Sequence, residues 1–180
     1  MLSRTLLLCL LAAAFSTGSS LRCKWMDHKF RQCSENCLNL LETMANNSTN
    51  TTGHAAVTFP TDLYSQASKA SAEDKVGFTV QVLEEVVVLF EEDHSSASWE
   101  QVTVENFLSV VTRQAEGLRS CVSTGSHKKN KKLQMYFKRL SRHVLEQMDH
   151  SAESWELIRK QIKTHLMRTD LLISSLLTVN

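Results

Sequence analysis

Residues that interrupt helices are scarce in this sequence, and so are long apolar runs. The 180 residues include only five Gly and one Pro, Pro60, so few breakers limit the length of helices. The apolar run 5–15 contains eleven residues, whereas a helix needs about 20 to cross a bilayer. A longer uncharged stretch, 43–61, is rich in Asn and Thr. We therefore expect no insertion into a membrane.

The short motifs of common catalytic sites are also missing. The sequence contains no His-Glu-x-x-His, no Gly-x-Ser-x-Gly, no Gly-rich phosphate loop and no Cys-x-x-Cys pair. His143, Glu146 and His150 could share one helix face, but a single helix rarely supplies a closed zinc site. We predict that the protein is not an enzyme and binds neither a metal nor a cofactor.

The N-terminus has the features of a secretory signal peptide. Arg4 is followed by the apolar run and then by small residues up to Ser20. We predict a signal peptide over 1–20 and one secreted, extracellular domain over 21–180. Removing Arg4 from the 20 basic residues leaves 19, against 19 acidic residues. This balance gives no global reason to bind nucleic acid.

Four cysteines remain after Cys9 leaves with the signal peptide, and four cysteines allow three complete pairings. Cys23 and Cys121 flank predicted helices, where loops can bring them together, and we predict a disulfide between them. Cys33 and Cys37 are four residues apart in a helix, with Cβ atoms about 5–6 Å apart, too far for a disulfide. We interpret them as buried thiols, with a link to a distant segment or to another molecule as alternatives.

Three glycosylation sequons lie close together at Asn46, Asn47 and Asn50. A glycan cannot be buried, so they indicate an exposed loop. Chance occurrence in a segment rich in Asn and Thr is the competing interpretation.

Five segments show the apolar spacing of helices, with apolar residues alternating three and four positions apart. They are 25–45, 72–92, 104–121, 131–148 and 153–177. Ser71 and Ser151 are the predicted N-caps of the second and fifth segments, and Thr103 that of the third. Long amphipathic helices with a long first connection are typical of a helical bundle.

Basic residues are concentrated in one part of the chain, because 119–142 contains eight Lys or Arg and no acid. Lys128, Lys129, Lys131 and Lys132 could contact heparan sulfate, an acidic receptor patch or nucleic acid. A solvated surface is the simpler interpretation.

The last segment combines an aromatic core position with a basic surface. Trp155 lies on its apolar stripe and is predicted to be core. Arg159, Lys160, Lys163 and Arg168 are predicted to project away from that stripe, and Arg is enriched where interfaces need planar pairing.

Several stretches together resemble the type I interferons, especially the two-cysteine group of fish. The signature Trp-Glu-Leu-Ile-Arg at 155–159 is the clearest. The other matching stretches are 23–26, 59–64, 118–123 and 136–140. One departure is Glu153, which stands where four-cysteine interferons have a Cys, so a second family disulfide has no partner here.

The resemblance implies an all-α, up-up-down-down helical cytokine bundle of about five helices with a long first crossover loop. It implies a secreted ligand that bridges the two chains of a class-two cytokine receptor and triggers antiviral signalling through Janus kinases and STAT factors. One receptor chain would meet the first helix, its following loop and the last helix, and the other chain the second and third helices. The implied contacts of the first face are Lys29, Arg31, Arg159, Lys160, Lys163 and Arg168.

Two other functions fit the same helices. Another long-chain helical cytokine, interleukin-10-like or hormone-like, would have the same bundle and different receptors. A helical lipid carrier would need a cavity among the apolar stripes.

Overall fold

The computed structural model describes residues 23–45, 57–122 and 129–177, and six α-helices account for most of them. They are α1 (Arg31–Ala45), α2 (Thr61–Ser68), α3 (Ala72–Leu89), α4 (Gln101–Arg119), α5 (Lys131–Leu140) and α6 (Ala152–Leu177). A π-helical turn, Met26–Phe30, leads directly into α1. After α5 the chain continues through a π turn, Ser141–Leu145, and a 3₁₀ turn, Glu146–Met148.

Helix α3 lies at the centre of an up-up-down-down helical bundle. It packs against α4 and α6 over most of its length and also contacts α2 and α5. Every residue over 78–83 is buried, as expected of a helix surrounded by others. Helix α1 packs against α4 and α6 on the opposite side of the bundle. No strand occurs in the described ranges.

The five predicted helices are confirmed, although their ends differ by a few residues and the fourth continues beyond Leu140 as a π turn and a 3₁₀ turn. Ser71 caps α3 by accepting a hydrogen bond from the Asp74 backbone N–H at 3.1 Å, and Ser151 caps α6 by accepting one from the Ser154 N–H at 3.2 Å. The prediction of Thr103 as a cap is wrong, because α4 already begins at Gln101 and Thr103 is buried inside it.

Helix α2 was not predicted, because it is only eight residues long and its apolar residues are too few to show a period. Leu63, Tyr64 and Ala67 form its buried side. Leu63 and Tyr64 are four and three positions before Ala67, so the three residues lie on one side of the helix. An eight-residue helix is marginal alone, and packing of this side against the bundle stabilises it.

The predicted Cys23–Cys121 disulfide is present and joins the start of the first helical segment to the end of α4. Cys33 and Cys37 carry free thiols. Cys37 is fully buried, its Sγ lies 3.8 Å from Gln114 Oε1, and burial raises its pKa to about 12. Cys33 is only half-buried, so the interpretation as two buried thiols holds for Cys37 alone.

The indole ring of Trp25 lies across the backbone of Gly117, close to this disulfide. A Cβ atom at position 117 would occupy the same space as the ring. Glycine at this position therefore allows the first segment to approach α4 closely.

Candidate receptor-binding surface

The start of α6 is fixed in the bundle by an aromatic cluster around Trp155, which is fully buried. The rings of Phe90 and Trp99 lie 5.7 and 5.9 Å from the Trp155 ring. The indole Nε1 donates a hydrogen bond to the Asp93 carbonyl oxygen at 3.0 Å. The prediction that Trp155 belongs to the core is confirmed, and its position sets the orientation of the basic residues that follow.

The expectation that Arg159 projects from the surface is wrong. Arg159 is 6 % exposed and forms two hydrogen bonds with the Glu156 carboxylate, at 2.8 and 2.7 Å. Its Nη1 also donates to the Leu41 carbonyl oxygen of α1 at 3.1 Å. Hydrogen bonding to Glu156 raises the pKa of Arg159. Arg159 therefore joins α6 to α1 inside the protein and is not available to a receptor.

The position of Arg159 in the sequence, four residues after Trp155, already indicates that it is buried. Arg159 follows Trp155 by four residues, and residues at that spacing lie one above the other on the same side of a helix. The side of α6 that buries Trp155 also buries Ile158 and Ile162. A basic residue at position 159 must therefore enter the α1–α6 contact.

Lys160 and Lys163 lie at the outer edge of the same contact. Their side chains are 46 % and 41 % exposed. Lys160 Nζ lies 3.7 Å from Glu156 Oε1, and Lys163 pairs with Glu42 of α1. The hydrogen bond from Lys163 lowers the pKa of the Glu42 carboxyl. These two lysines place positive charge along the exposed edge between α1 and α6.

Arg168 lies further along α6 and is exposed. It lines a shallow groove of about 360 Å³ between α6 and α2, together with Tyr64, Lys75 and Leu171. Leu171 is 61 % exposed, and Met167, four residues before it, is 50 % exposed. Sequence reasoning missed this exposed apolar pair, although exposed apolar residues beside Arg are typical of protein interfaces.

Lys29 and Arg31 are exposed at the other end of α1. Arg31 Nε lies 3.1 Å from Glu35 Oε1, in an ion pair that is itself largely exposed. Arg31 and Glu42 are eleven residues apart on the same side of the helix, about 16 Å along its axis. The structure thus brings Lys163 to Glu42 of α1, places Lys160 beside Glu156 on α6, and leaves Lys29 and Arg31 about three turns from Glu42.

A second exposed surface lies on α4. Because α3 is buried on all sides over 78–83, it contributes little surface apart from residues near its ends, such as Val88, which is 56 % exposed. The outer side of α4 carries Val102, which is 59 % exposed, and the exposed Arg113. This surface therefore lies on a different helix from the exposed edge of α6 that carries Lys160 and Lys163.

His165 is buried beneath the exposed side of α6, among the rings of Phe59, Tyr64, Tyr136 and Phe137. Its Nδ1 lies 2.7 Å from the Tyr64 hydroxyl, and its Nε2 has no hydrogen-bond partner in the described part of the protein. Burial lowers the pKa of His165 to about 3. This neutral imidazole ties α2 and the preceding loop to α6.

Some of the remaining predicted site residues lie outside the described ranges. Asn46, Asn47, Asn50 and Lys128 lie outside the described residues. Within the described ranges, no group of three His, Cys, Asp or Glu side chains could hold a metal ion, and no helix is long and apolar enough to cross a membrane.

The described helices, with α3 enclosed by its neighbours and the first segment linked to α4 by a disulfide, define a helical cytokine. A family model described as the interferon alpha/beta domain matches residues 26–176. The chain is 39% identical to interferon a3 of Oncorhynchus mykiss over 154 residues, which are 86% of each chain. It is similar to the solved structure of zebrafish interferon 1, with a TM-score of 0.74 and 31% identity, covering 86% of this chain and 99% of that one.

The chain therefore belongs to the interferon alpha/beta family. It is a type I interferon-like cytokine, and the family is one of cytokines that bind class-two cytokine receptors.

Proposed function

We propose that the protein is a secreted antiviral cytokine that bridges the two chains of a class-two cytokine receptor and thereby activates Janus kinases and STAT factors. The observation that carries this proposal is the exposed side of α6, where Lys160, Lys163 and Arg168 surround the exposed Met167 and Leu171. An apolar centre with a charged rim is the usual composition of a protein interface.

The first receptor chain would bind this side of α6 and the adjoining part of α1. Lys29 and Arg31 would extend the contact along α1. Arg159 would support the surface from below, because its guanidinium holds α6 to α1 through Glu156 and the Leu41 carbonyl.

The second receptor chain would bind the α3–α4 side, mainly through α4. The enclosure of α3 leaves the outer side of α4, from Val102 to Arg113, as the accessible part. Because both surfaces belong to one packed bundle, binding both chains at once holds them at a fixed separation, and no chemical step is needed.

The same proposal includes the route to the cell exterior. Residues 1–20 would act as a signal peptide, and 21–180 would be the single secreted domain. Glycans at Asn46, Asn47 or Asn50 would lie in the long connection between α1 and α2.

A basic run before α5 suggests a second extracellular partner. We propose that heparan sulfate contacts the region of Lys128, Lys129, Lys131 and Lys132. Of these residues, Lys131 and Lys132 are exposed at the start of α5, whereas Lys129 Nζ lies 3.7 Å from Glu84 Oε2 of α3.

The receptor proposal is tested with two sets of surface substitutions and the two receptor ectodomains measured separately by surface plasmon resonance. The α6 variant is Lys160→Glu with Arg168→Glu and Leu171→Ser, and the α4 variant is Val102→Ser with Arg113→Glu. We expect the α6 variant to bind one chain at least tenfold more weakly and the other within twofold, and the α4 variant to show the reverse.

A reporter cell line that expresses both chains should lose its response to each variant. Circular dichroism should show unchanged helix content, because all five positions are exposed. Equal weakening towards both chains, or a parent protein that binds neither, would contradict the proposal.

A further inference from the structure

The exposed side of α5 and of the π turn after it carries a row of cations. Lys131, Lys132, Lys138, Arg139 and Arg142 are all exposed. Arg142 lies in the π turn that follows α5. At 3.6 residues per turn the other four positions fall within an arc of about 120° and span about 12 Å. The opposite side of the helix is buried and consists of Leu133, Tyr136, Phe137 and Leu140. The helix therefore presents one basic and one apolar side, with no acid between 119 and 142.

These five cations are not neutralised within the described part of the protein. Two other basic residues of the same region, Arg119 and Lys129, are neutralised, because both pair with Glu84. None of the five cations belongs to an ion pair between described residues. The structure thus separates the basic run into Lys129, which is held against α3, and a row that begins at Lys131 and continues along α5.

Part of the row forms one wall of a groove. The groove has a volume of about 610 Å³, and its α5 wall consists of Lys131, Lys132, Met135, Tyr136 and Arg139. The other wall is the segment 58–63 together with Gln66, and it includes one acid, Asp62. Three of the five cations therefore border a concave site, and Lys138 and Arg142 continue the positive surface beyond it.

The start of α5 is held in place by four hydrogen bonds. The Asn130 side chain accepts hydrogen bonds from the backbone N–H groups of Lys132 and Leu133, at 3.0 and 3.1 Å. Gln81 of α3 accepts from the Asn130 N–H at 2.7 Å and donates to its carbonyl oxygen at 3.1 Å. The lysines at the groove therefore project from a rigid helix start, which lowers the entropy lost on binding a ligand.

We propose that the α5 row and its groove bind a linear sulfated glycosaminoglycan, with sulfate groups paired to Lys131, Lys132 and Arg139 in the groove and to Lys138 and Arg142 beyond it. This proposal rests on the proposed heparan sulfate contact. It assigns that contact to residues from Lys131 onwards and not to the basic residues that precede the helix. Ammonium and guanidinium groups bind sulfate through charge-assisted hydrogen bonds, as they bind phosphate.

Two other polyanions fit this surface less well. Single-stranded nucleic acid needs exposed aromatic rings for base stacking, and the aromatic residues of α5, Tyr136 and Phe137, are buried. An anionic membrane needs several exposed apolar residues to insert, and on this side of α5 Met135 is the one large apolar residue that is exposed, by 51 %.

The test compares two triple variants of equal charge by calorimetry with a heparin octasaccharide at 150 mM NaCl. The α5 variant is Lys131→Ser with Lys132→Ser and Arg139→Ser. The matched control is Lys24→Ser with Lys29→Ser and Arg113→Ser, three exposed cations outside α5. We expect at least tenfold weaker binding for the α5 variant and a change within twofold for the control. The dependence of affinity on salt should also be shallower for the α5 variant, because it releases fewer counterions.

A second variant, Lys138→Ser with Arg142→Ser, tests the length of the row. This variant should bind the octasaccharide severalfold more weakly. Its affinity for a disaccharide, which is too short to extend beyond the groove, should stay within twofold of the parent. Equal losses for the α5 variant and the control would mean that only total charge matters and would overturn the proposal. So would absence of heparin binding by the parent, or tighter binding to phosphatidylserine vesicles than to heparin.

Receptor binding is read out separately. The α5 variant should stimulate the reporter cells like the parent when those cells lack heparan sulfate. A parent protein that binds heparin but stimulates no receptor would contradict the receptor proposal alone. A parent that stimulates the receptor but does not bind heparin would contradict the glycan site alone.

Discussion

Among single residues, Arg159 has the largest effect on how the surface of α6 is organised. Its guanidinium lies between the Glu156 carboxylate and the Leu41 carbonyl, and both Arg159 and Glu156 are about 95 % buried, at 6 % and 5 % exposure. A buried ion pair contributes little net stability, but removing one partner leaves the other charged and desolvated. Removing Arg159 alone should therefore cost more stability than the intact pair contributes.

We expect Arg159→Met to lower the free energy of unfolding by about 3 kcal/mol, because Glu156 loses its bidentate partner. Removing one partner of a buried ion pair costs about 3–5 kcal/mol. Because Lys160 Nζ lies 3.7 Å from Glu156 and still compensates part of its charge, we expect a loss near the lower value. Urea unfolding followed by circular dichroism measures the change. Lys163→Met is the matched control, and as a half-exposed partner of Glu42 it should cost less than about 1 kcal/mol. Equal costs for the two variants would mean that Arg159 is solvated.

We expect His165 to make the stability of the protein depend on pH. Its pKa is lowered to about 3 in the folded protein and is about 6.5 in the unfolded chain. Between these values the unfolded chain binds the extra proton, so stability is complete above pH 6.5 and falls as the pH decreases towards 3. The expected loss from pH 7.5 to 5.0 is about 2 kcal/mol.

Urea midpoints at several pH values between 7.5 and 5.0 measure this loss. A His165→Gln variant keeps a polar group near the Tyr64 hydroxyl and has no titratable ring, so its stability should change far less over the same interval. If the parent and the variant show the same slope, His165 is not the group that titrates.

For whole elements, the docking of α6 depends on its first turn. Trp155 fills the space between Phe90 and Trp99 and donates to the Asp93 carbonyl. Trp155→Ala should lower the free energy of unfolding by about 3–5 kcal/mol through the cavity it leaves.

Trp155→Phe keeps most of the volume and loses the hydrogen bond, so it should cost clearly less than Trp155→Ala. Chemical denaturation of both variants provides the comparison. An alanine variant as stable as the parent would mean that the indole is not part of the core.

The elements also show how far the sequence predicts the molecule. The five long helices follow from apolar spacing alone, because each one buries a continuous side. The same spacing predicts that position 159 faces inward, whereas the charge of Arg159 predicts exposure, and here the spacing is correct. Only the tertiary contact with Glu156 and Leu41 makes its burial acceptable, and no local pattern reveals that contact.

Helix α2 and the groove beside α5 were beyond prediction for a related reason. Eight residues hold too little periodic information to distinguish a helix from a loop, and the groove is formed by segments about 70 positions apart, 58–63 and the start of α5. The basic run was visible, yet Lys129 is turned towards Glu84 and Arg139 faces the groove. Which cations act together therefore depends on the packing of α5 against α3.

At the level of the whole molecule, one bundle carries three separate surfaces on α6, α4 and α5. Their separation requires that the helices keep fixed positions, and the contacts of α3 with the helices around it provide this rigidity. The disulfide contributes differently, because it connects the first helical segment to the end of α4 across 98 positions. It restricts the unfolded chain more than it changes contacts in the folded protein.

Replacing both Cys23 and Cys121 by Ser should therefore lower the free energy of unfolding by about 4–5 kcal/mol, the entropy of closing a loop of roughly 100 residues. The folded variant should keep its helix content and bind both receptor ectodomains with little change near 10 °C, because Trp25 still packs on Gly117. Urea unfolding and receptor binding on the same samples measure the two effects, with Cys33→Ser as a control that should stay within about 1 kcal/mol of the parent. Loss of binding by a fully helical variant would show instead that the disulfide shapes a receptor surface directly.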